Sequence, residues 1–452
     1  MYTSYIGRRA LDLYNEHLHD GEPLSPKKFF DQVFFPVVFD DDDYLMQAGN
    51  SKFGQLVRQR KKDKRKAEEK GISWKEEKPR RRQRALKDFH SLSEDYDQPH
   101  NHVVVGGSAR KVSATTSGQV TNIDHPVDAD TIYCSWVGAA VAIGVSGGLT
   151  MLIDEDKTLL ALLEGWSQYR TLLNQTSELK DKQIETWNGW WLTHRLSEDF
   201  RPDTPLSEKP DIRGRKHLKL DTQDWVDVMF TLAKNVEKDS VTAYVFSVGQ
   251  RNTTIGFRQL YLSDARYMVE LYQQLFEERS GVEEKQFAQL YKTEDGFWAA
   301  CRQGAIGLRA LRPRNLDEYM PGGDKAGWFT SKSNSNLDNT TYRIFLTWII
   351  AMLNNEELID TTEQLAKALR NYAQSDTKGR VTKKRTAEQV LKASHRREFL
   401  ESLSAVVEDD ATHAALIDEI GDEVVKMPSS DFPLFATLLR LKYHVFSQQQ
   451  SA

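Results

Sequence analysis

VTAYVFSVGQRNTTIGFRQLYL, residues 241–262, holds two runs of alternating apolar residues around a polar turn that carries Gly249. A period of two turns every second side chain to one face, so these residues predict a β-hairpin with a buried and an outward face. Arg258 inside the second run predicts that one face is solvated or meets an anion. Further strand signals lie upstream. VVV at 103–105 is followed by Gly106-Gly107-Ser108, then RKVSATTSGQVTN at 110–122 and TIYCSWVGAAVAIGV at 131–145, where β-branched residues between glycine-bearing turns predict a sheet.

Around this sheet the apolar spacing is helical. The first eighteen residues read as a helix, and SPKKFFDQVFFPVVF at 25–39 opens on Ser25 as N-cap with Pro26 at the first helical position, while Pro36 marks a break. The Asp40 to Asp43 tetrad reads as a charge cluster at a helix N-terminus. LLALLEGWSQYRTLLNQ (159–175) is helical, and IETWNGWWLTH (184–194) brings Trp187, Trp190 and Trp191 into a core or domain junction. Residues 321–338, rich in Gly, Ser, Asn and Lys, carry a linker signature. Beyond it, YRIFLTWIIAML, ELIDTTEQLAKALRNYA, KKRTAEQVLKASHRREFLESLSAVV, ATHAALIDEIGDEVVKM and FPLFATLLRLKYHVF predict a helical bundle. The expected fold class is therefore α+β: a mixed N-terminal domain over 1–330 with short strands and a basic insertion at about 58–100, then a C-terminal helical bundle over 339–452. No internal repeat is present.

The 452 residues suffice for two or three domains without disulfides. Cys134 and Cys301 are the only cysteines, which excludes a cysteine-built zinc ribbon, iron–sulfur cluster or disulfide framework and fits a reducing cytoplasmic compartment. The uncharged stretch from Thr131 to Ile153 has the length of a membrane span. It is flanked by Asp128, Asp130, Asp154, Glu155 and Asp156 and broken by Gly138, Gly144, Gly147 and Gly148, so it reads as buried strands and turns, and no membrane partner is expected.

Charge is distributed unevenly. Residues 58–87 hold fifteen Lys or Arg against five Asp or Glu, while the whole chain is at −5. Clustered cations gain free energy from phosphates by releasing condensed counterions, and the acidic remainder resists indiscriminate adsorption. Arg58, Arg60, Lys61, Lys62, Lys64, Arg65, Arg80, Arg81, Arg82 and Arg84 are the expected phosphate contacts, with Arg110 and Lys111 at the edge. The competing reading is a solvated basic loop without a fixed ligand. In the bundle, Arg385, Lys392 and Arg396 stand at spacings of seven and four, which would align them on one helical face able to follow a phosphate backbone.

Catalytic signatures are missing. The chain has no G-x-x-x-x-G-K-[ST], no H-E-x-x-H and no G-x-S-x-G, and GVSGG lacks the lysine of a phosphate loop. His100-Asn101-His102 cannot direct three adjacent side chains at one metal ion. No enzyme activity, metal or cofactor is expected, and a binding protein is.

Two loops have a composition suited to recognition. Thr116, Ser117, Gly118, Gln119 and Asn122 in one, and Gln250, Arg251 and Asn252 at the hairpin tip, combine close backbone approach with amides that read base edges. The same residues also suit ordinary tight turns. ATTSGQVTN, IETWNGWWLTH, YVFSVGQRNTTIGF and the helical C-terminal third resemble a large subunit of the type I CRISPR surveillance complex, Cascade. The cysteine pairs and the HD nuclease pattern of some related large subunits are absent.

The resemblance implies a non-catalytic subunit that sits at the end of the complex carrying the crRNA 5′ handle, contacts the protospacer-adjacent motif in double-stranded DNA and starts R-loop formation, while guide pairing reads the remaining sequence. It assigns motif recognition to Gly106, Gly107, Ser108, Thr116, Ser117, Gly118, Gln119, Asn122, Gln250, Arg251 and Asn252. It implies as partners crRNA, target DNA, backbone and handle-binding subunits, a small helical subunit, and either a helicase-nuclease or a transposition adaptor. Some members make the small subunit from an internal start, and Met320 stands just ahead of the linker. Alternative classes are a sequence-tolerant RNA/DNA-binding subunit of another defence or processing complex, an enzyme with a dispersed site, and a helical structural adaptor.

Overall fold

The computed structural model describes residues 1–41, 44–47, 51–94, 103–106, 120, 127–176, 178–179, 183–214, 218–247, 253–276, 296–324, 339–375 and 380–449. It is an α+β protein with helices at its C-terminal end. The chain divides into two compact units, Met1–Leu262 with Gly296–Ile306, and Ser263–Asp295 with Gly307–Ala452. The division drawn from composition at 330/339 falls inside the second unit, and residues 325–338 of the expected linker lie outside the described residues.

The first unit begins with α1 (Tyr2–His17), as expected, then α2 (Pro26–Phe29), a π turn (Phe30–Phe34) and α3 (Phe35–Val38). Ser25 caps α2 by accepting from the Lys28 amide. Pro36 does not break the run as its type predicts. A proline ring collides with the carbonyl four residues back in an α-helix and supplies no donor. Here the preceding π turn, in which the Phe35 amide reaches Phe30 O, carries the helix through, and Phe29, Phe30, Phe34, Phe35, Val38 and Phe39 are all buried. Asp40 follows the end of α3, so the tetrad does not open a helix; Ser51 caps the next one, accepting from the Gly54 amide at 3.0 Å. Asp42 and Asp43 lie outside the described residues.

Next come α4 (Lys52–Glu69) and α5 (Trp74–Ser93), described below, and α6 (Ala129–Ala140). The first ten residues of TIYCSWVGAAVAIGV are thus helix where strand was expected. The Asp128 carboxylate starts that helix by accepting from the Thr131 amide at 2.7 Å, and hydrogen bonds from the Thr131 side chain and amide hold its pKa below the usual range. Packing settles the matter, because α6 lies backbone to backbone on α1: a Cβ at Gly7 would fall 1.8 Å from Cys134 O, and one at Gly138 would fall 1.9 Å from Thr3 O. VVV at 103–105 is a bend, not a strand. Its polar groups are taken by side chains, with Trp136 Nε1 donating to Val103 O (2.7 Å), Ser135 Oγ accepting from Val105 N (3.0 Å) and Thr3 Oγ1 donating to Val105 O (2.7 Å).

After α6 the chain forms β1 (Ile143–Val145), β2 (Leu149–Ile153), α7 (Asp156–Gln175), α8 (Ile184–Arg195), a small ribbon of β3 (Ile212–Arg213) and β4 (Lys219–Leu220), and α9 (Trp225–Asn235). The predicted hairpin is β5 (Ser240–Ser247) and β6 (Thr253–Tyr261), antiparallel, with a bulge between Val245 and Phe246. After α10 (Leu262–Phe276), the short α11 (Gly296–Arg302) and β7 (Ala305–Ile306) return to the first unit. The sheet has the order β1-β2-β5-β6-β7 and is antiparallel except for β6 with β7. Trp187 and Trp191 are buried on α8, donating to Gly165 O (2.9 Å) and Ala161 O (2.7 Å), which makes IETWNGWWLTH core. Arg258 donates to Cys301 O and Phe257 O, both at 2.6 Å, and among the described residues no carboxylate pairs with it. Both cysteines are buried, and burial pushes each thiol up to about 11.

The second unit contains α12 (Leu316–Tyr319), α13 (Asn339–Leu353), α14 (Glu357–Gln374), α15 (Arg380–Lys392), α16 (Arg396–Asp409), a 3-10 turn (Ala411–His413), α17 (Ala414–Lys426) and α18 (Phe432–Gln449). The segment read as one helix over 383–407 is two helices, separated at 393–395. Ser394 ends the run locally, its amide and hydroxyl both turned to the Glu398 carboxylate at 2.9 and 3.3 Å. Among the described residues no helix is long and apolar enough to cross a membrane.

Candidate nucleic-acid interface

The basic run forms a helical hairpin. α4 has 18 residues and α5 has 20, so the two helices are about 27 and 30 Å long. Ser73 caps α5 by accepting from the Lys75 amide, and Glu76 and Glu77 occupy its first turn, where the helix dipole favours carboxylates. Phe53 and Phe89 anchor the hairpin's base. Phe53 stacks on Phe39 with centroids 4.6 Å apart, Phe89 stacks on Phe30 at 5.0 Å, and both meet Trp136 edge-on. At the same base His90 links three helical segments, Nδ1 lying 2.6 Å from Tyr133 Oη and Nε2 lying 2.9 Å from Asp31. Burial depresses the His90 pKa despite the Asp31 charge, and burial likewise raises that of Tyr133.

Away from that base the apolar contact between the helices is thin. On α4 only Phe53, Gly54 and Ala67 are buried, and on α5 Arg81, Ala85, Phe89 and Ser93. Arg81 is 8% exposed and clasps the hairpin: it donates to Asp63 Oδ2 (3.0 Å) and Leu56 O (2.9 Å), and its guanidinium lies 5.2 Å from the Trp74 ring centroid. It is therefore a positioning residue, not a phosphate ligand. Arg82 ties the hairpin back to Asp40, donating to its carbonyl at 2.9 Å. Arg84 pairs with Glu77, and Arg65 with Glu69 at 3.5 Å.

Most cations of the arm face water. Arg58, Arg60, Lys61, Lys62, Lys64, Arg65, Arg80 and Arg84 are exposed, as are Lys66, Lys70, Lys75 and Lys87, which the sequence places in the same run. Arg58, Lys61, Lys62 and Arg65 recur at three- and four-residue spacing, opposite the stripe of Asp63 and Ala67, and so form one outward row along α4. Arg80, Arg84 and Lys87 form a similar row along α5. Such rows can follow a phosphate backbone as point charges and bidentate forks, with affinity that falls as salt rises.

The other predicted contacts fare differently. Gly106 has φ +77°, and a Cβ there would lie 2.9 Å from the Thr3 side chain, so its close approach is to α1 of this chain. Arg385, Lys392 and Arg396 do not share a helical face, because α15 ends at Lys392 and Arg396 begins α16. Arg396 closes the end of α17, donating to Met427 O (2.7 Å) and Ser429 Oγ (2.6 Å). Lys392 lies 3.8 Å from Glu388, while Arg385 is exposed. Gly107, Ser108, Arg110, Lys111, Thr116, Ser117, Gly118, Gln119, Asn122, Gln250, Arg251 and Asn252 lie outside the described residues, as does His100-Asn101-His102. Among the described residues no group of three or more His, Cys, Asp or Glu is placed to hold a metal ion.

Comparisons with models of protein families, with curated proteins and with solved structures return no match.

Proposed function

We propose that this chain grips nucleic acid by its phosphate backbone through the α4–α5 arm, and that it does so as the non-catalytic large subunit of a crRNA-guided Cascade complex. The observation that carries the first part is the arm itself, a helical hairpin whose structural needs are met by Arg81, Arg82 and two phenylalanines, leaving rows of cations exposed. Cations on two rigid helices lose little freedom when they meet phosphates, which favours binding over a solvated loop. The second part rests on the resemblance in ATTSGQVTN, IETWNGWWLTH and YVFSVGQRNTTIGF. In that reading the arm holds duplex DNA beside the protospacer-adjacent motif, and crRNA, the backbone and handle-binding subunits and the small helical subunit complete the complex.

Replacing Arg58, Lys61, Lys62 and Arg65 with alanine is expected to weaken binding of any duplex by about 100-fold near 0.1 M salt. The slope of log K against log salt should become shallower by about three to four. Unchanged affinity and slope would place the phosphate contacts elsewhere. The complex-level reading is tested by tagging the protein in its native operon and sequencing the RNA that copurifies. One repeat-derived handle joined to varied spacers is expected; random RNA, or none, would overturn it. A sequence-tolerant RNA/DNA-binding subunit is the second reading, favoured by the arm's composition, since Lys and Arg rows contact phosphates without reading bases.

A further inference from the structure

The sheet of the first unit carries a second surface that the arm does not explain. Along β5, Val241, Ala243 and Val245 are buried, and Ser240, Thr242, Tyr244 and Phe246 alternate onto the other face. Tyr244 lies opposite Phe257, and Ser240 opposite Tyr261. Tyr2 and Tyr5 of α1 join them: the Tyr2 ring centroid lies 5.0 Å from Phe257, 5.2 Å from Tyr244 and 5.7 Å from Tyr5, and Tyr244 lies 5.2 Å from Phe257. Aromatic rings gathered this closely normally belong to a core, yet Tyr5 is 53%, Phe257 54% and Tyr261 40% exposed.

The composition of this face narrows its ligand. Leu152, in register with Tyr244, is aliphatic but fully buried, whereas the exposed large apolar side chains of the hairpin's described residues, Phe257 and Tyr261, are aromatic. Its polar members are engaged with one another, Thr242 and Ser240 both bonding to Gln259, at 3.1 and 2.6 Å. The acidic groups at its border are engaged as well, Asp154 by Tyr5 Oη at 2.6 Å and Asp156 by Arg9 at 2.7 Å. The face therefore offers π surface and little else, and the same unit carries the cationic arm. A polyanion with flat apolar rings meets both demands: single-stranded nucleic acid, whose unpaired bases stack on aromatic side chains irrespective of sequence while its phosphates answer the charge. α6 links the two surfaces, since Tyr133 contacts the arm's base and Gly138 lies against the α1 that presents Tyr2 and Tyr5.

We infer that Tyr2, Tyr5, Tyr244 and Phe257 form a stacking platform for the unpaired bases of a single strand. This rests on the reading of the chain as a nucleic-acid binder and adds the strand class that the sheet takes. The test uses the full chain with two labelled probes, a thymidine single strand of about twenty nucleotides and a duplex of equal length. Phe257→Ala and Tyr5→Ala should each weaken single-strand binding about tenfold, with duplex affinity and the salt slope unchanged. Phe257→Trp should retain binding, and all three variants should melt like the parent because the rings are exposed. Single-strand affinity untouched by both alanine variants, in a protein whose arm variants still lose duplex, would overturn the platform and leave the arm standing. Failure of the parent to bind either probe would overturn the nucleic-acid reading itself. If Phe257→Ala instead released a copurifying protein subunit with single-strand affinity unchanged, the face would belong to a protein partner and the inference would fall.

Discussion

The arm of the first unit and the helices of the second are both rich in Lys and Arg, yet they use these residues in opposite ways. In α4 and α5 one arginine, Arg81, is buried and most of the remaining cations face water. In the second unit Arg440 is 1% exposed and closes the end of α15, donating to Leu391 O and to Ala393 O at 3.1 Å. Burial lowers its pKa to about 10. Lys442 is 8% exposed and reaches Glu363 at 3.0 Å, and Lys367, bonded to the same carboxylate at 2.8 Å, is the main cause of that group's depressed pKa. A cation buried against a helix C-terminus or a neighbouring carboxylate is consumed by the fold; an exposed one, even where it touches a surface carboxylate as Arg65 touches Glu69, remains within reach of a ligand.

That contrast can be broken most sharply by charge. Reversing Arg58, Lys61, Lys62 and Arg65 to glutamate should cost about 1,000-fold in duplex affinity near 0.1 M salt with little change in Tm. Reversing the exposed Arg385 together with Lys392 should change affinity by less than about threefold, and a large loss there would erase the distinction between the two regions. The next largest effect is on stability. Arg440→Met deprives two carbonyls of their donor and should destabilise the second unit by about 2–4 kcal/mol in urea unfolding, without altering nucleic-acid binding.

Arg81→Met leaves the Asp63 charge unpaired inside the hairpin and should cost about 2 kcal/mol. Faster amide exchange confined to α4 and α5 would show it, whereas protection equal to the parent would mean the clasp is dispensable. An effect of similar size is the response to acid. Burial lowers the His444 pKa to about 4 from the ordinary 6.5, so the folded state favours the neutral ring. Its contribution is complete above pH 6.5 and is lost as pH falls through the folded value, a change of about 2 kcal/mol after allowance for partial exposure. His444→Phe should flatten the fall of Tm between pH 6.5 and 4, and an unaltered profile would assign that acid sensitivity to other groups. His90 at the base of the arm is depressed by burial with the same sign.

The hairpin at 241–262, the first helix, the Ser25-Pro26 start and most of the C-terminal helices were legible because each depends on local periodicity or a local cap. α6 was not, although its signal was present: Asp128 and Asp130 ahead of an uncharged run describe an N-cap and a first turn. The β-branched residues between glycine-bearing turns favoured a strand, and only the contact of Gly7 with Gly138, more than a hundred residues apart in the chain, decides for helix. The arm was legible as charge but not as shape, since nothing local marks Arg81 as the buried one among Arg80, Arg81 and Arg82. The ring cluster was half legible. Tyr244 and Phe257 sit on matching phases of the two strands, but the arrival of Tyr2 and Tyr5 beside them depends on the path of α1.

The π turn at Phe30–Phe34 makes the effect of a lost residue depend on where it is lost. Lost from the turn itself, one residue would restore ordinary α spacing and leave Phe35, Val38 and Phe39 facing about as they do, because a π turn takes up one extra residue; lost from α3 instead, it would rotate Phe39 by about 100° relative to Phe29. Phe39 is the ring on which Phe53 stacks, so the base on which the arm stands would be rebuilt while every lysine and arginine kept its identity. Among homologous chains, a gap of one residue in α3 would therefore redirect the arm more than the exchange of several charges along it, and a gap in the π turn would not.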